Sequence, residues 1–467
     1  MLPRLPVNRR VRRALALVAS LGVPLVLSAC GAPKADATKI VWWDVFDDPS
    51  AFTSMIRSYD DAHNVDIELV SKPFDTYEQE LVDAIAAGRG PDILSFHNTW
   101  LPEHIELLAP LPVADDFATL PADQKKTAQD RAAQLPGLRD FSTSYVDTVS
   151  NDFVSNGRIY AMPEYVDSLA LYYNEDLLSS SGIVQPPRTW SEFSADAAKL
   201  TKLDDQGHVL RAGAAMGAAR NINRSTDILS ALMLQNGAAA VDNTRKFAAF
   251  DREVEQAGNQ KYNPGMDALN FYTDFANPTK PSYSWSLDAN VWYSLDSFAA
   301  GDVAMMLNYS HQVPEVRAAN AKLNFKVAPL PQRDDAKFDT TYANYWGLAV
   351  SRGSISLDAW EFINFLQRDD QQLGLPAGHA AAARQAFIIP AFENDLNLGV
   401  FADQAAVART AYTPDLSLTE TVLANAIDDV NLGRRSASEA LNVAASQVAE
   451  RLRTREFPPI GVSTSAQ

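Results

Sequence analysis

The chain has 467 residues and a formal net charge of −18, with 46% hydrophobic and 21% charged residues. This composition is that of an ordinary globular protein with room for two or three domains. The acidity argues against nucleic acid as a partner and against electrostatic adhesion to anionic lipid.

The N-terminal segment has the order of a secretory signal. Five arginines precede an apolar stretch from Ala14 to Leu27, which is too short to span a bilayer as a helix. The run Leu27-Ser28-Ala29-Cys30 follows, and Cys30 is the only cysteine of the chain. This run resembles the bacterial lipobox, in which the cysteine is lipidated and becomes the first mature residue. We predict a lipoprotein signal peptide over 1–29, a lipidated tether over 30–38 and an exported protein anchored by lipid in the cell envelope. The general and twin-arginine export routes both remain open.

The mature chain opens with alternating strands and helices. Runs of β-branched and aromatic residues predict strands, and apolar residues at helical spacing predict helices. In chain order, the elements are a strand over Lys39–Phe46, a helix through Phe52, Ile56 and Tyr59, a strand over Val65–Val70, a helix through Tyr77, Leu81 and Ile85, and a strand over Asp92–Phe96. This βαβαβ order predicts a parallel sheet with helices on its faces.

A second α/β unit follows. Its predicted elements are strands over Arg158–Met162 and Leu169–Tyr173, a helix from the capping-box sequence Thr189–Glu192 to Leu200, strands over Val303–Leu307 and Gly347–Val350, a helix capped by Asp358, and a C-terminal helix with Leu441, Val448 and Leu452 on one side. The two late strands fit one into each sheet if the chain crosses between the units more than once.

Short motifs are spread in order along the mature chain. They are Gly88–Ile93, Gly157–Pro163, Asp167–Asn174, Pro186–Phe193, Phe298–Asn308, and Trp346–Val350 followed by Ala359–Phe362. In sequence and order they resemble those of family 1 extracellular solute-binding proteins, the sugar-binding group that includes maltose-binding protein. The resemblance implies an α/β fold of the two-lobed periplasmic-binding-protein type (type II). Each lobe would be a mixed, mostly parallel sheet flanked by helices, and a hinge would join the lobes.

The lobes are assigned as follows: 39–150 and 301–342 to lobe 1, and 151–300 and 343–467 to lobe 2. The resemblance further implies that a monomer binds a mono- or oligosaccharide in the cleft between the lobes and delivers it to the permease subunits of an ABC-type importer. The segment from about Asp204 to Tyr283 matches the family poorly, so its placement stays open.

The candidate site residues come from the ends of the predicted strands. Ligands gather beyond the carboxyl ends of parallel strands, and a sugar needs acids and amides for its hydroxyls and aromatic faces for its rings. The candidates are Asp47, His97, Asn98, Tyr165, Asp167, Trp292, Asn308, Tyr309, His311 and Trp346. Alternatives remain for four of them: Asp47 as a helix cap, His97 as a hydrogen-bonded interior histidine, and Trp292 and Trp346 as core residues.

Motifs of catalysis and of metal binding are missing from the sequence. It has no GxSxG elbow, no HExxH, no P-loop and no CxxC, and its six histidines do not have metal-ligand spacing. We therefore expect no enzyme activity, no cofactor and no metal. A binding protein for a polyamine or a glycerol-phosphate compound remains an alternative, and so does a carbohydrate-active surface protein without a transport role.

Overall fold

The computed structural model describes residues 37–454 apart from 47, 243–246, 256–260, 289–292, 355, 369–370, 372–394 and 413–414. Three predicted functional residues, Cys30, Asp47 and Trp292, lie outside these described residues. Within the described ranges, no helix is both long enough and apolar enough to cross a membrane.

Seventeen strands are described. They are β1 (Thr38–Asp44), β2 (Val65–Ser71), β3 (Ile93–His97), β4 (Leu108–Ala109), β5 (Val154–Ser155), β6 (Arg158–Ile159), β7 (Ala161–Pro163), β8 (Ala170–Asn174), β9 (Lys202–Leu203), β10 (Val209–Ala215), β11 (Val254–Glu255), β12 (Lys261–Tyr262), β13 (Val303–Asn308), β14 (Phe325–Pro329), β15 (Thr341–Tyr342), β16 (Trp346–Ser351) and β17 (Ala408–Arg409).

The described α-helices surround these strands. They are α1 (Thr53–His63), α2 (Phe74–Ala86), α3 (Leu101–His104), α4 (Ala122–Ala132), α5 (Leu138–Ser144), α6 (Asp147–Phe153), α7 (Glu175–Ser180), α8 (Trp190–Leu200), α9 (Ser225–Asn236), α10 (Pro264–Asp274), α11 (Ser294–Ala300), α12 (Gln312–Ala319), α13 (Ser356–Leu366), α14 (Leu398–Ala405), α15 (Leu416–Asn431) and α16 (Ala437–Thr454). Short 3₁₀ turns cover Pro49–Ala51, Ile105–Leu107 and Ala114–Phe117.

The first sheet has the strand order β2-β1-β3-β16-β4, and β7 also pairs with β16. The strands β1, β2 and β3 are parallel, as the βαβαβ pattern predicts, and β16 runs antiparallel to β3. Ile40, Trp42 and Phe96 are buried in its hydrophobic core, together with side chains of α1, α2 and α13. The register sets Trp346 opposite His97, so an aromatic residue meets the carboxyl end of β3.

The second sheet has the order β14-β8-β13-β10-β9. Its β10 and β13 are parallel, whereas β8 is antiparallel to both β13 and β14. A separate hydrophobic core covers this sheet and takes in side chains of α8, α9, α10, α15 and α16. Two sheets with two cores give the two lobes that the sequence predicts.

The predicted assignment of the late strands to the lobes is wrong. We placed 301–342 in the first lobe and 343–467 in the second, but β13 pairs with β8 and β10 in the second sheet, and β16 pairs with β3 in the first. The first boundary is also too early, because β7 still pairs with β16 and the chain leaves the first sheet after Pro163. Hydrophobic periodicity identifies a buried strand but carries no information about its partner, so it does not determine which sheet a late strand joins.

The segments 164–169 and 330–345, which connect the sheets, are called here the hinge segments. Ser168 and Ala343 form a bridge between them, and β15 within the second segment pairs with β17. The backbone N–H of Asn344 also donates to the carbonyl oxygen of Asp167 at 3.1 Å. The connections between the lobes are therefore hydrogen-bonded to one another.

Two predicted helix caps have different outcomes. Thr189 is confirmed as the cap of α8, because its side chain accepts from the N–H of Glu192 and the Glu192 carboxylate accepts from the N–H of Thr189. Asp358 is not a cap, since α13 begins at Ser356. Asp358 lies instead in the first turn of α13, where its carboxylate pairs with Arg131. A carboxylate is favourable in either position at a helix N-terminus, so composition alone does not separate them.

Candidate functional site

Polar side chains gather where the carboxyl ends of the two sheets meet. His97 ends β3 in the first sheet, and Asp227 lies in the first turn of α9, which follows β10 of the second sheet. Asn344 joins them: its Oδ1 atom lies 3.0 Å from His97 Nε2, and its Nδ2 atom donates to Asp227 Oδ2 at 3.3 Å. This short connection shows that the two sheet edges face each other, and the region around it is called here the interlobe site.

Three aromatic rings lie at the first-lobe edge of the interlobe site. Phe46 follows β1, Phe74 begins α2 after β2, and Trp346 begins β16. The ring centroids of Phe46 and Phe74 lie 5.2 and 6.2 Å from that of Trp346. Trp346 is 5% exposed, whereas Phe46 and Phe74 are 52% and 54% exposed. These three rings, called here the aromatic platform, give the edge an apolar surface that a ring-shaped ligand can cover.

His97 is buried and both of its ring nitrogens are engaged. The N–H of Thr99 donates to Nδ1 at 3.3 Å, and the Thr99 hydroxyl, which can also donate, lies 2.8 Å from the same atom. With Nδ1 as the acceptor, the ring proton is on Nε2 and is donated to Asn344. Burial lowers the pKa of His97 to about 4, although the bond to Asn344 acts in the opposite direction. His97 is therefore neutral at pH 7, and this arrangement agrees with the alternative of a hydrogen-bonded interior histidine.

Asn98 belongs to a buried polar network beside the hinge segments. Its Nδ2 atom donates to Thr410 Oγ1 at 2.9 Å and to Asp152 Oδ2 at 3.2 Å, and its Oδ1 atom accepts from the N–H of Tyr345. Burial raises the pKa of Asp152 to about 6, against the lowering effect of donors that include Tyr345 and Thr410. The Asn98 side chain is occupied by these bonds, so its local role is to hold the hinge.

Asp167 fixes one hinge segment to the loop after β13. Its carboxylate accepts from the N–H of Ser168 at 2.8 Å and from the N–H and Oγ of Ser310 at 2.9 and 2.7 Å. His311 Nδ1 lies 3.6 Å from the same carboxylate, and its side chain is 49% exposed. The His311 ring stacks on Tyr309 with centroids 6.0 Å apart. His311 is thus the exposed member of this group.

Asn308 and Tyr165 occupy less open positions. Asn308 is fully buried, and its Oδ1 atom accepts from the N–H of Tyr309 at 3.0 Å. Its Nδ2 atom has no hydrogen-bond partner among the described residues. Tyr165 is partly buried against the first hydrophobic core. Neither position alone establishes contact with a ligand.

A charged group on the second-lobe side is not among the residues predicted from the sequence. Tyr309 donates through its hydroxyl to Asp227 Oδ2 at 2.8 Å, and the Arg224 guanidinium lies 5.5 Å from the Tyr309 ring centroid. Burial raises the pKa of Asp227, and Arg224 opposes that rise. Burial likewise raises the pKa of Glu420 to about 7, with a further contribution from Asp227.

Arg224 also has an unusual backbone conformation. Its φ of 62° lies in the left-handed region, immediately before α9. Outside glycine and asparagine this conformation costs free energy, and residues held in it are concentrated at functional sites. The signal that could have found Arg224 and Asp227 is the end of β10, a strand that the sequence analysis did not recognise.

A cluster near the first-lobe edge has the composition of a metal site. Ligand atoms of Glu78, Glu103 and His104 all lie within 4.8 Å of one another. His104 Nε2 lies 2.8 Å from a Glu78 oxygen, and Arg451 pairs with Glu103 at 3.1 Å. These contacts give the side chains of the cluster partners within the protein.

Comparison with protein families identifies the chain. The model of the bacterial extracellular solute-binding protein family matches residues 43–373, which begin within β1 and extend beyond the end of β16. The chain belongs to this family. The family consists of extracellular solute-binding proteins of bacteria.

Individual relatives are distant but cover most of the chain. The maltotriose-binding protein of Pyrococcus abyssi is 23% identical over 376 residues, which are 78% of this chain and 70% of the relative. The sn-glycerol-3-phosphate-binding periplasmic protein UgpB of Escherichia coli K12 is 26% identical over 322 residues, which are 67% of this chain and 65% of the relative.

A solved structure shows the same fold. The cyclic α-maltosyl-1,6-maltose-binding protein of Arthrobacter globiformis superposes with a TM-score of 0.69 at 20% identity, covering 90% of this chain and 100% of its own. The two-lobed periplasmic-binding-protein fold predicted from the sequence is thereby confirmed.

Proposed function

We propose that this solute-binding protein takes up a neutral mono- or oligosaccharide in the interlobe site and presents it to the permease of an ABC-type importer. The observation that carries the proposal is the chemical difference between the facing edges. The first-lobe edge has the aromatic platform, and the second-lobe edge has Arg224, Asp227 and Glu420. A sugar offers C–H faces and hydroxyls, and these two surfaces match them. The maltotriose-binding relative supports the same ligand class.

The binding mechanism follows from these positions. Phe46, Phe74 and Trp346 cover an apolar face of the sugar, because two of the rings are half exposed at the edge of the sheet. Asp227 and Glu420 accept hydrogen bonds from hydroxyls, and Arg224 donates to ring or hydroxyl oxygens. Contacts from both lobes to one ligand favour the closed arrangement, which is the hinge closure known for periplasmic binding proteins. Closure gives the permease a surface that differs between loaded and empty protein.

A thermal-shift screen tests the ligand class. A ligand that binds the folded state alone raises the melting temperature by mass action. We expect neutral maltooligosaccharides or other oligosaccharides to raise it, and spermidine and glycerol phosphate to leave it unchanged. A screen in which no carbohydrate of any size shifts the melting temperature would contradict the proposal.

A glycerol-phosphate compound is the second candidate, because UgpB of Escherichia coli is among the relatives and Arg224 could pair with a phosphate. Asp227 and Glu420 beside that arginine make the position less favourable for a dianion. A shift produced by glycerol phosphate and by no sugar would favour this alternative.

We also propose that Cys30 carries the lipid anchor. The support is the lipobox-like run that ends at Cys30 and the extracellular location of the family. Intact-mass measurement on protein from membranes of the producing cells should show a diacylated N-terminal cysteine. Cys30→Ser should release the protein from the membrane fraction, and retention of that variant in membranes would contradict the anchor.

A further inference from the structure

Asn344 occupies an unusual position, because one side chain contacts both lobes from within a hinge segment. Its amide reaches His97 at the end of β3 and Asp227 at the start of α9. Its own backbone is held by the carbonyl of Asp167 in the other hinge segment. A change in the angle between the lobes therefore alters at least one of these contacts.

The direction of each hydrogen bond in this connection is determined by its neighbours. The N–H of Thr99 occupies His97 Nδ1, so Nε2 donates and the Asn344 oxygen accepts. The Asn344 amide nitrogen must then face Asp227, where it donates to Oδ2. An asparagine fits this position because it accepts on one side and donates on the other, which no carboxylate can do.

Asp227 is thereby oriented. Its Oδ2 atom accepts from both Asn344 and the Tyr309 hydroxyl. Its Oδ1 atom accepts no hydrogen bond from any other residue that the structure describes. This oxygen is also not fully enclosed by protein atoms. Two donors on one oxygen fix the plane of the carboxylate and leave the second oxygen as the acceptor for a ligand hydroxyl.

We propose that Asn344 is a positioning residue that holds the Asp227 carboxylate in its ligand-accepting orientation and ties it to the first lobe through His97. This inference rests on the proposed function for the identity of the ligand. The expected change in the angle between the lobes does not require a ligand. Loss of the amide nitrogen frees Asp227 to rotate and removes a tie between the lobes, so both affinity and the resting angle of the hinge change.

The test compares Asn344→Asp and Asn344→Ala with the wild type. At pH 8 the introduced carboxylate of Asn344→Asp opposes Asp227, and we expect at least a tenfold loss of affinity for the oligosaccharide found by the screen. At pH 5.5 a proton shared between the two carboxylates restores a hydrogen bond, so the loss shrinks. Asn344→Ala has no group to take up that proton, so its loss relative to the wild type should change much less between the two pH values than that of Asn344→Asp.

The same titratable and charged groups surround position 344 in all three proteins. His97 faces the position from β3, Arg224 and Asp227 from the start of α9, Tyr309 from the loop after β13, Tyr342 from β15, Glu420 from α15 and Glu78 from α2. The comparison of pH profiles therefore isolates the introduced carboxylate. Asn320→Asp is the matched control, because Asn320 donates to the carbonyl of Ala299 within the second lobe.

A ligand-free measurement separates this inference from the proposed function. The radius of gyration of unliganded Asn344→Asp at pH 8 should exceed that of the wild type and of Asn320→Asp in solution scattering. An unchanged radius of gyration overturns the inference whether or not a sugar binds. If the wild type binds a sugar and Asn344→Asp binds it equally well at pH 8, the inference is also overturned, whereas the proposed function stands.

Discussion

The Tyr345 hydroxyl donates to Asp152 Oδ2 at 2.7 Å and so joins a hinge segment to α6 of the first lobe. Thr410, next to β17, donates to the same oxygen at 2.8 Å. One buried carboxylate thus holds two separate parts of the connection between the lobes. Tyr345 lies between Asn344 and Trp346, so this anchor also positions the interlobe site.

Asp152 should make stability depend on pH. Burial raises its pKa to about 6, above the value of an unfolded aspartate, so the folded protein binds the proton more tightly. Its contribution to stability is therefore complete below about pH 4 and is lost as the pH rises through about 6. Relative to Asp152→Asn, the wild type should lose about 2 kcal/mol of unfolding free energy between pH 4 and pH 7. Urea denaturation of both proteins at several pH values measures this difference, and parallel curves would show the argument to be wrong.

The aromatic platform should contribute to affinity without contributing much to stability. Phe74 is more than half exposed, so Phe74→Ala should leave the melting temperature nearly unchanged but weaken sugar binding by about 1–2 kcal/mol. Phe247→Ala is the matched control, since Phe247 is 52% exposed, lies in neither hydrophobic core and is outside the hinge segments. Calorimetric titration measures both variants. Equal affinity of Phe74→Ala and Phe247→Ala would remove the platform from the site.

Arg224 should contribute more to binding than to stability. A glycine relieves the cost of its left-handed backbone, but it also removes the guanidinium that opposes the pKa rise of Asp227, so the unfolding free energy of Arg224→Gly should change by less than about 1 kcal/mol. The same change removes the guanidinium beside Asp227, and ligand affinity should fall. Asn156→Gly is the control, because Asn156 has a φ of 50° in the β5–β6 turn, outside the interlobe site. A variant Arg224→Gly that binds as tightly as the wild type would show that the arginine does not contact the ligand.

His97 should remain uncharged through the physiological range. Burial lowers its pKa to about 4, below that of an unfolded histidine, so its contribution to stability is present above about pH 6.5 and is lost as the pH falls towards 4. The cost by pH 4 is about 3 kcal/mol. Nitrogen NMR of the imidazole, assigned with His97→Asn, should show the neutral Nε2–H tautomer from pH 8 to pH 5. Protonation near pH 6.5 would contradict this assignment.

Local patterns were sufficient for the first three strands and the two helices between them. The strands β1, β2 and β3 lie within two residues of their predicted bounds, and α1 and α2 lie where apolar residues at helical spacing predict helices. The pairing of β16 with β3 joins residues about 250 positions apart, and no local repeat encodes it. For this reason the late strands were found but placed in the wrong lobes.

The second half of the site was missed for a packing reason. The strand β10 contains Ala212, Gly213 and Ala214, because α8 crosses it closely: a Cβ atom on Gly213 would lie 1.9 Å from the carbonyl oxygen of Ala197. Small residues replace the β-branched pattern that marks a strand, so the strand and the residues after it went unrecognised. Arg224 and Asp227 follow that strand, whereas Trp346 and His97 border strands with a clear pattern.

The central claim is that a sugar binds where the two sheet edges meet, and titration calorimetry with a matched double variant tests it most directly. Wild-type protein should bind one oligosaccharide per chain. The combination Phe74→Ala with Asp227→Asn, which removes one contact from each edge, should weaken that binding at least a hundredfold while the protein still unfolds cooperatively. Binding of equal strength by the wild type and a folded double variant would contradict the claim.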